Sequence, residues 1–418
     1  MNSVLRTNRN RSALSGGKER PRDSLRVLHV LPALSSGGME RATIRLMTAA
    51  SLETSCIAPF TSIEHGLCLL GDADKRLLEV CRPVARIWIL GQSGPDQDRL
   101  VPCWWRLRRV IRQFRPHVVH ARSTGVWSDA ACATLGTRTQ LVLGFHGLTD
   151  LNEIAWRRRL VNRWSAGCAD AVVAVSRESA RMMEKEWAIP AGRVLAISNG
   201  VDLDRYHPAC GSEESHAARR MIGLTARDLV VTCVANLMPI KSIDVLLRAW
   251  RQVSMAAPCS KLLLIGEGPM RNELERLTGD LRCGGTVRFV GHREDIPALL
   301  RLSDAFVLPS RYEACSNAIL EAMATGLPVI ACRTGGNPDL VENGRTGWLV
   351  PPGQSDQLAE ALLALLLDGP ARQRLGRAAR AAAEQRFSER DWVDTLLSLY
   401  SELSARDPAR AEVSSCAG

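Results

Sequence analysis

The feature that most constrains the fold is a regular alternation of two kinds of segment along nearly all of the 418 residues. Short runs rich in apolar and β-branched residues are followed by longer stretches in which apolar residues recur at helical spacing. Strands that alternate with helices form parallel sheets, because each helix returns the chain to the starting edge of the sheet. The sequence therefore predicts an α/β fold with helices on both faces of parallel sheets.

The alternation is interrupted once, by "SNGVDLDRYHPACGSEESH" at residues 198–216, which is rich in turn formers and has no periodicity. We therefore expect two doubly wound domains. The predicted segments are a disordered basic tail over 1–24, domains over 25–205 and 206–385, a helix over 386–405 and a tail over 406–418. Within them, we expect the second strand near residues 54–60, a helix starting at Lys241, and a long helical tail over 371–402 that includes the separate helix from residue 386.

Composition limits the class of protein but does not choose among functions. The net charge of +10 is concentrated in residues 1–208, where 30 Lys and Arg face 19 Asp and Glu, a balance of +11. Such a basic half suits nucleic acid, an anionic membrane surface or a phosphorylated substrate. The thirteen cysteines form no C-x-x-C pair, which indicates reduced thiols in a cytoplasmic protein and neither a disulfide framework nor a zinc site. No apolar run approaches the roughly 18 residues of a membrane span.

The most informative stretch is "SRYEACSNAILEA", which begins at Ser310 and lies between two predicted strands. A helix starting near Ser316 would present its first free N–H groups to a phosphate. Glu313 would precede that helix and Glu321 would lie about one turn inside it. Carboxylates accept hydrogen bonds from paired sugar hydroxyls, so the stretch could hold two polyols with a phosphate between them. The alternative is two acids placed only to complement the helix dipole.

Other strand ends carry weaker signals. "LSSGGME" places Gly37 and Gly38 at the start of a helix, which suits either a phosphate or a tight turn. "VANLMPIKS" offers Lys241 as a point charge for a diphosphate, although a lone lysine is usually just solvated. "LGFHG" offers His146 as a partner for a sugar hydroxyl, or as a structural histidine.

Taken in order, these motifs resemble a known family over roughly residues 25–405. The stretch from Ser310 resembles the Glu–seven–Glu signature of the retaining, family-four glycosyltransferases ("glycosyl transferases group one"), which have the GT-B fold. "SSGGMER", "SNGVD", "GEGP" and "GHREDIP" are similar to other landmarks of that family. The resemblance implies two Rossmann-like domains facing across a cleft, with an acceptor-side domain first, a nucleotide-sugar-binding domain second, and a C-terminal helix crossing back to the first.

The resemblance also implies roles for residues. Glu313 would contact the donor sugar, Glu321 the ribose, Lys241 the diphosphate, and His146 the sugar near its reacting carbon. It implies no metal and no cofactor, with a UDP- or GDP-sugar as the substrate. The catalytic candidates are Glu313, His146 and Lys241. The predicted donor-binding residues are Gly37, Gly38, Asn236, Lys241, Glu313, Ala314, Cys315, Ser316, Asn317 and Glu321.

Three positions depart from the family pattern. Asn236 and Ser242 replace an arginine and a glycine that are common there, and Asp339 stands where glutamate is common. The loss of the arginine bears on how the leaving group is stabilised, and Arg122 of the other domain is a candidate source of charge. The alternatives are a non-catalytic sugar-nucleotide binder or scaffold, a different GT-B enzyme such as an epimerase or phosphorylase, and a nucleic-acid binder, for which no recognised module is present.

The acceptor is suggested by two segments that mix Arg with Trp, residues 101–114 and 155–164. Basic amphipathic helices that carry tryptophan suit an anionic membrane surface, while the alternative is a buried Trp face with solvated arginines. On the membrane interpretation, the acceptor is a lipid-linked saccharide in exopolysaccharide or surface-glycan synthesis. The protein would then be cytoplasmic and peripheral at the inner face of the cytoplasmic membrane.

Overall fold

The structure is a computed structural model that describes residues 24–35, 37–50, 57–58, 60–91, 103–147, 156–209, 211, 219–220 and 222–405. The two predicted tails, over 1–24 and 406–418, lie outside the described residues apart from Ser24. Two parallel sheets follow one another along the chain, which confirms the predicted α/β class and its doubly wound sheets.

The first sheet has seven strands in the order β3-β2-β1-β4-β5-β6-β7. Its strands are β1 (Leu25–Leu31), β2 (Ile63–Leu69), β3 (Ala85–Ile89), β4 (Val118–Ala121), β5 (Gln140–Phe145), β6 (Ala171–Ala174) and β7 (Val194–Ala196). Its helices are α1 (Gly38–Ala50), α2 (Lys75–Cys81), α3 (Trp104–Phe114), α4 (Thr124–Thr134), α5 (Trp156–Cys168) and α6 (Arg177–Glu186). Most described strand residues are buried, as expected for a parallel sheet covered on both faces.

The second sheet has six strands in the order β10-β9-β8-β11-β12-β13. Its strands are β8 (Leu229–Val234), β9 (Ser260–Ile265), β10 (Val287–Gly291), β11 (Ala305–Leu308), β12 (Val329–Cys332) and β13 (Gly347–Val350). Its helices are α7 (Ile243–Ala256), α8 (Arg271–Asp280), α9 (Ile296–Arg301), α10 (Asn317–Ala324), α11 (Asn337–Leu340), α12 (Ser355–Leu367) and α13 (Gly369–Arg386). One apolar core joins these elements.

The last helix, α14 (Glu389–Ala405), packs on the first sheet and not on the second. Its apolar face, which includes Trp392, Leu396 and Tyr400, is buried with residues of β1, β4 and β5. The two connections between the sheets cross at one point, where Val201 N–H donates to Phe387 O (2.8 Å) and Glu389 N–H donates to Val201 O (3.0 Å). The crossing is close because a Cβ on Gly200 would lie 2.6 Å from the Cα of Glu389.

The strand predicted near residues 54–60 falls largely outside the described residues. The second strand of the first sheet begins at Ile63, and its sequence hid it because His65 and Gly66 interrupt the apolar run. His65 is nevertheless buried, and its Nδ1 has a polar partner there, Nε2 of His29 at 3.2 Å. The predicted helical tail consists of two helices, α13 and α14, and the predicted separate helix over 386–405 corresponds to α14; the two are separated where the backbone at Phe387 pairs with the interdomain connection.

No helix among the described residues is both long and apolar enough to cross a bilayer.

Candidate active site

The predicted site residues gather where the strand order reverses in each sheet. The reversal lies between β1 and β4 in the first sheet and between β8 and β11 in the second. Open α/β sheets bind ligands at such points, outside the carboxyl ends of the strands. Gly37 and Gly38 follow β1, Lys241 follows β8, and Glu313 follows β11, so both reversal points carry a predicted motif.

Glu313 and Lys241 form an ion pair in this structure. The Lys241 Nζ atom donates to Glu313 Oε1 at 2.5 Å, and the Ser310 hydroxyl donates to the same oxygen at 2.7 Å. Only 10% of the Glu313 side chain and 23% of the Lys241 side chain is exposed. Lys241 does not start α7 as predicted, because it ends a short 3₁₀ turn (Pro239–Lys241) that is followed by Ser242 at φ +49°. That turn directs the ammonium back across the sheet to Glu313.

The loop that carries Glu313 is held against its neighbours by glycines. A Cβ on Gly335 would lie 2.0 Å from Glu313 O, and a Cβ on Gly336 would lie 2.1 Å from Ala314 O. Gly336 N–H donates to Glu313 O at 2.7 Å. Only glycine permits such an approach of two backbones, and Gly335 also has a positive φ of 50°. The "TGG" motif therefore fixes the position of the Glu313 loop.

Helix α10 begins at Asn317, with Ser316 as its N-cap. The Ser316 hydroxyl accepts from Ile319 N–H at 3.3 Å. The backbone N–H groups at the start of a helix have no acceptor within it, so those of Ser316, Asn317 and Ala318 are free to meet an anion. The predicted N-terminus of this helix is thus correct to one residue.

Asn317 links this helix to the first domain. Its Nδ2 donates to Gly38 O at 3.4 Å, and its Oδ1 accepts from Asn199 Nδ2 at 2.9 Å. Gly38 begins α1, and a Cβ on Gly37 would lie 2.4 Å from the end of the Glu40 side chain, which would have to move. The N-termini of α1 and α10 therefore face each other across the cleft.

Glu321 lies one turn inside α10 and is hydrogen-bonded to the Tyr206 hydroxyl. Burial raises the pKa of Glu321, and the nearby Arg45 and Arg41 oppose that rise. The Glu321 carboxylate is thus enclosed, and its hydrogen-bond partner is a hydroxyl group that another hydroxyl could replace. A ribose hydroxyl could take the place of the Tyr206 hydroxyl.

His146 approaches the same loop from the first domain. It follows β5, and a Cβ on the neighbouring Gly147 (φ +114°) would lie 2.9 Å from the Cβ of Ala314. Burial, and then the positive charge of Arg122, lower the pKa of His146 to about 3. The imidazole is therefore neutral at physiological pH and offers one donor and one acceptor.

The remaining predicted residues lie at the cleft but make fewer contacts. Asn236 is exposed after β8, on a loop held by Gly266, whose added Cβ would lie 2.0 Å from Ala235 O. Ala314 is buried, and burial raises the pKa of the Cys315 thiol to about 12, so Cys315 is an inert thiol. Across the described ranges, no group of three or more His, Cys, Asp or Glu side chains is arranged to hold a metal ion.

Three residues that shape the site were not among the predicted site residues. Tyr206 contacts Glu321, Asn199 contacts Asn317, and Asp339 Oδ2 accepts from Arg177 N–H at 2.6 Å across the domains. Asn199 lies in the "SNGVD" motif and Asp339 was noted as a departure from the family pattern, whereas Tyr206 lies in the aperiodic connection, where turn composition masks any functional signal. Their roles depend on pairs 115 or more positions apart, so no local pattern reveals them.

Comparison with known proteins decides the family. Residues 62–205 match the family profile described as "Glycosyltransferase Family 4", and residues 228–368 match the one described as "Glycosyl transferases group 1". The chain belongs to the group 1, family 4 glycosyltransferases. The predicted family is therefore confirmed, and membership does not favour the scaffold alternative.

Two curated group 1 relatives illustrate the range of the family. An Escherichia coli protein named "UDP-Gal:alpha-D-GlcNAc-diphosphoundecaprenol alpha-1,3-galactosyltransferase" is 29% identical over 266 residues, which cover 62% of this chain and 68% of that protein. A Corynebacterium glutamicum "GDP-mannose-dependent monoacylated alpha-(1-6)-phosphatidylinositol monomannoside mannosyltransferase" is 36% identical over 201 residues, covering 46% of this chain. The match spans only 52% of the length of the Corynebacterium protein.

A solved structure supports the fold independently. The Anabaena protein Alr3699/HepE, crystallised with UDP and glucose, superposes with a TM-score of 0.77 at 23% identity. The match covers 90% of this chain and 99% of HepE. The predicted GT-B architecture is confirmed by this likeness, which at such an identity shows the fold alone.

Proposed function

We propose that this protein is a retaining, metal-independent glycosyltransferase that moves a sugar from a UDP- or GDP-sugar to a hydroxyl of a lipid-linked saccharide at an anionic membrane surface. The product would enter exopolysaccharide or another surface glycan. The observation that carries the transfer reaction is the Lys241–Glu313 pair beside the start of α10, at the reversal point of the second sheet. There a diphosphate, a sugar and a ribose have separate partners.

In the proposed reaction, the diphosphate lies at the free N–H groups of α10, with Lys241 as its cation. Glu313 accepts hydrogen bonds from the sugar, and Glu321 accepts them from the ribose in place of Tyr206. The acceptor oxygen bonds to the anomeric carbon as the bond from that carbon to the diphosphate oxygen breaks. The acceptor proton passes to the leaving diphosphate oxygen on the same face, so the configuration is retained. The protein contributes positioning and charge stabilisation.

The membrane part of the proposal rests on helices α3 and α5. The alternative of a buried Trp face is wrong for the four tryptophans at issue, since Trp104, Trp105, Trp156 and Trp164 are between 41% and 66% exposed. Helix α5 is inverted relative to an ordinary surface helix. It buries the small or polar residues Asn162, Ser165 and Ala166 and exposes Trp156, Leu160, Val161 and Trp164.

Helices α3 and α5 carry only positive charge. Each has four arginines and no acidic residue within its bounds. In a sheet of parallel strands the returning helices start at the carboxyl ends of the strands, so Trp104, Trp105 and Trp156 lie toward the cleft end of the domain, whereas Trp164 lies about two turns further along α5. Basic helices with exposed tryptophan bind anionic lipid surfaces, with about 1 kcal/mol contributed per Lys or Arg near the surface. We infer that lipid bound by these helices would lie beside the acceptor side of the cleft.

The names of two relatives support a lipid acceptor. The E. coli protein is named for a diphosphoundecaprenol acceptor and the Corynebacterium protein for a phosphatidylinositol mannoside. The acceptor and the surface-glycan role of this chain are inferred from those names together with α3 and α5.

Transfer is tested by incubating the purified protein with bacterial membranes and, in turn, radiolabelled UDP-glucose, UDP-galactose, UDP-N-acetylglucosamine and GDP-mannose, all with EDTA. We expect label from one donor in the organic-solvent extract, with the anomeric configuration of the donor retained by NMR. Glu313→Gln serves as the control with strongly reduced transfer. An inverted product, or transfer that stops with EDTA, would contradict the proposed mechanism.

Membrane contact is tested by co-sedimentation with vesicles of phosphatidylglycerol and of phosphatidylcholine. We expect binding to the anionic vesicles alone, reduced by Trp156→Ser with Trp164→Ser and, separately, by Arg158→Glu with Arg163→Glu. Met255→Ser is the matched control, because Met255 is equally apolar and 70% exposed but lies on the second domain. Equal loss of binding in the control would refute the role of α5.

A further inference from the structure

A cavity lies at the end of the first sheet that is opposite to the cleft. It has a volume of about 430 Å³ and lies where α3 and α4 end and where β4 and β5 begin. Small-molecule sites have volumes of roughly 300–1,000 Å³. The buried residues Ile111 and Ser404 line the cavity together with three exposed arginines, Arg112, Arg115 and Arg138. The cavity is therefore open to solvent and large enough for a small ligand without rearrangement.

The side chains around this cavity carry positive charge without a counter-charge. None of its described lining residues is acidic. Across the described ranges, Arg112, Arg115 and Arg138 form no side-chain hydrogen bond and no ion pair with another residue. Three guanidinium groups around one cavity repel one another, and a bound anion would replace that repulsion with attraction.

The ends of the neighbouring helices do not account for these three arginines. Basic side chains near a helix C-terminus commonly donate to its last carbonyl groups. Here two arginines outside the cavity do so, because Arg26 Nε donates to Arg115 O at 2.8 Å and Arg108 Nη1 donates to Leu135 O at 2.8 Å. The carbonyl groups that follow α3 and α4 thus have their own partners.

The backbone at Arg115 also indicates a role for its side chain. Arg115 follows α3 in the left-handed conformation, with φ 51° and ψ 56°. Glycine is the usual residue there, because a Cβ raises the energy of this conformation. Folding alone therefore favours glycine at position 115, and the arginine adds a charge to the cavity at a cost in stability.

We propose that this cavity binds a ligand that carries a diphosphate group, held by Arg112, Arg115 and Arg138. A planar guanidinium donates two parallel N–H groups to phosphate oxygens, and three of them match the several negative charges of a diphosphate. The proposal goes beyond the transfer reaction and does not depend on it, because Lys241 and Glu313 lie at the cleft, outside this cavity.

The diphosphate could belong to a soluble molecule or to a lipid headgroup. A lipid could reach the cavity along α3, where Trp105, Arg109 and Arg112 are all exposed. Their spacing of four and three residues places them on one face of the helix, over about 10 Å of its length. A membrane that contacts Trp105 would therefore extend to the cavity at Arg112.

Calorimetry tests the soluble form of the ligand. The full chain is first saturated with the nucleoside diphosphate that it binds, so that the cleft is occupied, and is then titrated with inorganic pyrophosphate in the presence of EDTA. We expect one further site per chain, weakened about tenfold or more by Arg115→Gln or Arg138→Gln. Arg115→Gly should weaken it as much without lowering the melting temperature, because the left-handed backbone suits glycine.

A matched control separates this site from net charge. Arg227→Gln with Arg377→Gln removes two exposed positive charges from the second domain, away from the cavity, and should leave the affinity for pyrophosphate within about twofold. If the chain binds no nucleoside diphosphate, the proposed function is contradicted, and the same titration without nucleotide still tests the cavity through its variants.

Vesicle co-sedimentation tests the lipid form. Phosphatidylcholine vesicles that contain diacylglycerol pyrophosphate are compared with vesicles brought to the same charge by phosphatidylglycerol. A preference for the diphosphate lipid that is lost in Arg115→Gln with Arg138→Gln assigns the group to a lipid headgroup. Binding of pyrophosphate without such a preference assigns it to a soluble molecule.

The proposal is overturned if pyrophosphate finds no site beyond the cleft and the vesicles show no preference. It is equally overturned if binding persists in the cavity variants, or if the second-domain control weakens it as much as they do.

Discussion

Replacing Glu313 by Gln tests the roles of both members of the central ion pair. At 2.5 Å the gross attraction between Lys241 and Glu313 is about 7 kcal/mol with an effective dielectric constant of 20, and desolvation cancels most of it. A donor diphosphate must compete with Glu313 for Lys241. Removing the carboxylate frees the ammonium, so we expect a nucleoside diphosphate to bind about 5- to 30-fold more tightly, a gain of about 1–2 kcal/mol.

Transfer should respond in the opposite direction. The amide still accepts from the sugar but lacks the charge, which is worth about 1.5–3 kcal/mol for a hydrogen bond to an ionised group. We therefore expect kcat to fall about 10- to 100-fold. The assays are calorimetry with the nucleoside diphosphate and the membrane transfer assay above. Glu384→Gln is the control, because Glu384 pairs with Arg380 at 2.6 Å on a helix of the second domain. Wild-type turnover in Glu313→Gln, or weaker nucleotide binding with an intact fold, would refute this reasoning.

Two further perturbations follow from buried groups. Gly335→Ala places a Cβ 2.0 Å from Glu313 O at a positive φ, so we expect the free energy of unfolding to fall by about 2–4 kcal/mol and the transfer activity to fall with it. The control is Gly285→Ala, whose added Cβ meets nothing within 4 Å and should change neither quantity. Equal melting temperatures for the two variants would contradict this prediction. Burial lowers the pKa of His65 to about 4, and lowers those of His29 and His120 as well. A histidine with a depressed folded pKa takes up its proton on unfolding, so the stability is complete above pH 6.5 and falls as the pH drops. His65 alone would lower the free energy of unfolding by about 3 kcal/mol between pH 6.5 and 4. Urea unfolding at several pH values should show that the unfolding free energy of His65→Gln falls less steeply with decreasing pH. An unchanged dependence on pH would contradict the assignment.

The sequence was sufficient for the fold because most of its elements are locally consistent. Strands such as β8, with five apolar residues among its six, and helices such as α7 have the expected periodicities, and their order dictates parallel sheets. The motifs could also be recognised from the sequence, because each follows a strand whose end could be predicted. The position of β2 could not be predicted locally, because its buried His65 depends on the distant His29. A separate helix from residue 386 was predicted, but the backbone pairing of Val201 with Phe387 was not, because these residues lie far apart in the sequence.

The site was predictable as a set of positions but not as a set of contacts. Glu313 and Lys241 could each be singled out by spacing, yet their ion pair joins positions 72 apart. Among the described residues Arg122 is buried without an acidic partner, and Trp156 is exposed. Composition could not predict either, because an arginine is normally solvated and a tryptophan normally packed. Tertiary structure reverses both expectations, and both reversals lie in the first domain.

The most direct test of the central claim is calorimetric titration of the purified protein with UDP, GDP and ADP, each with and without EDTA. We expect micromolar binding of one nucleotide, unaffected by EDTA and tightened in Glu313→Gln. Failure of all three to bind a folded protein would contradict the claim that the Glu313–Lys241 pair and the start of α10 form a nucleotide-sugar site.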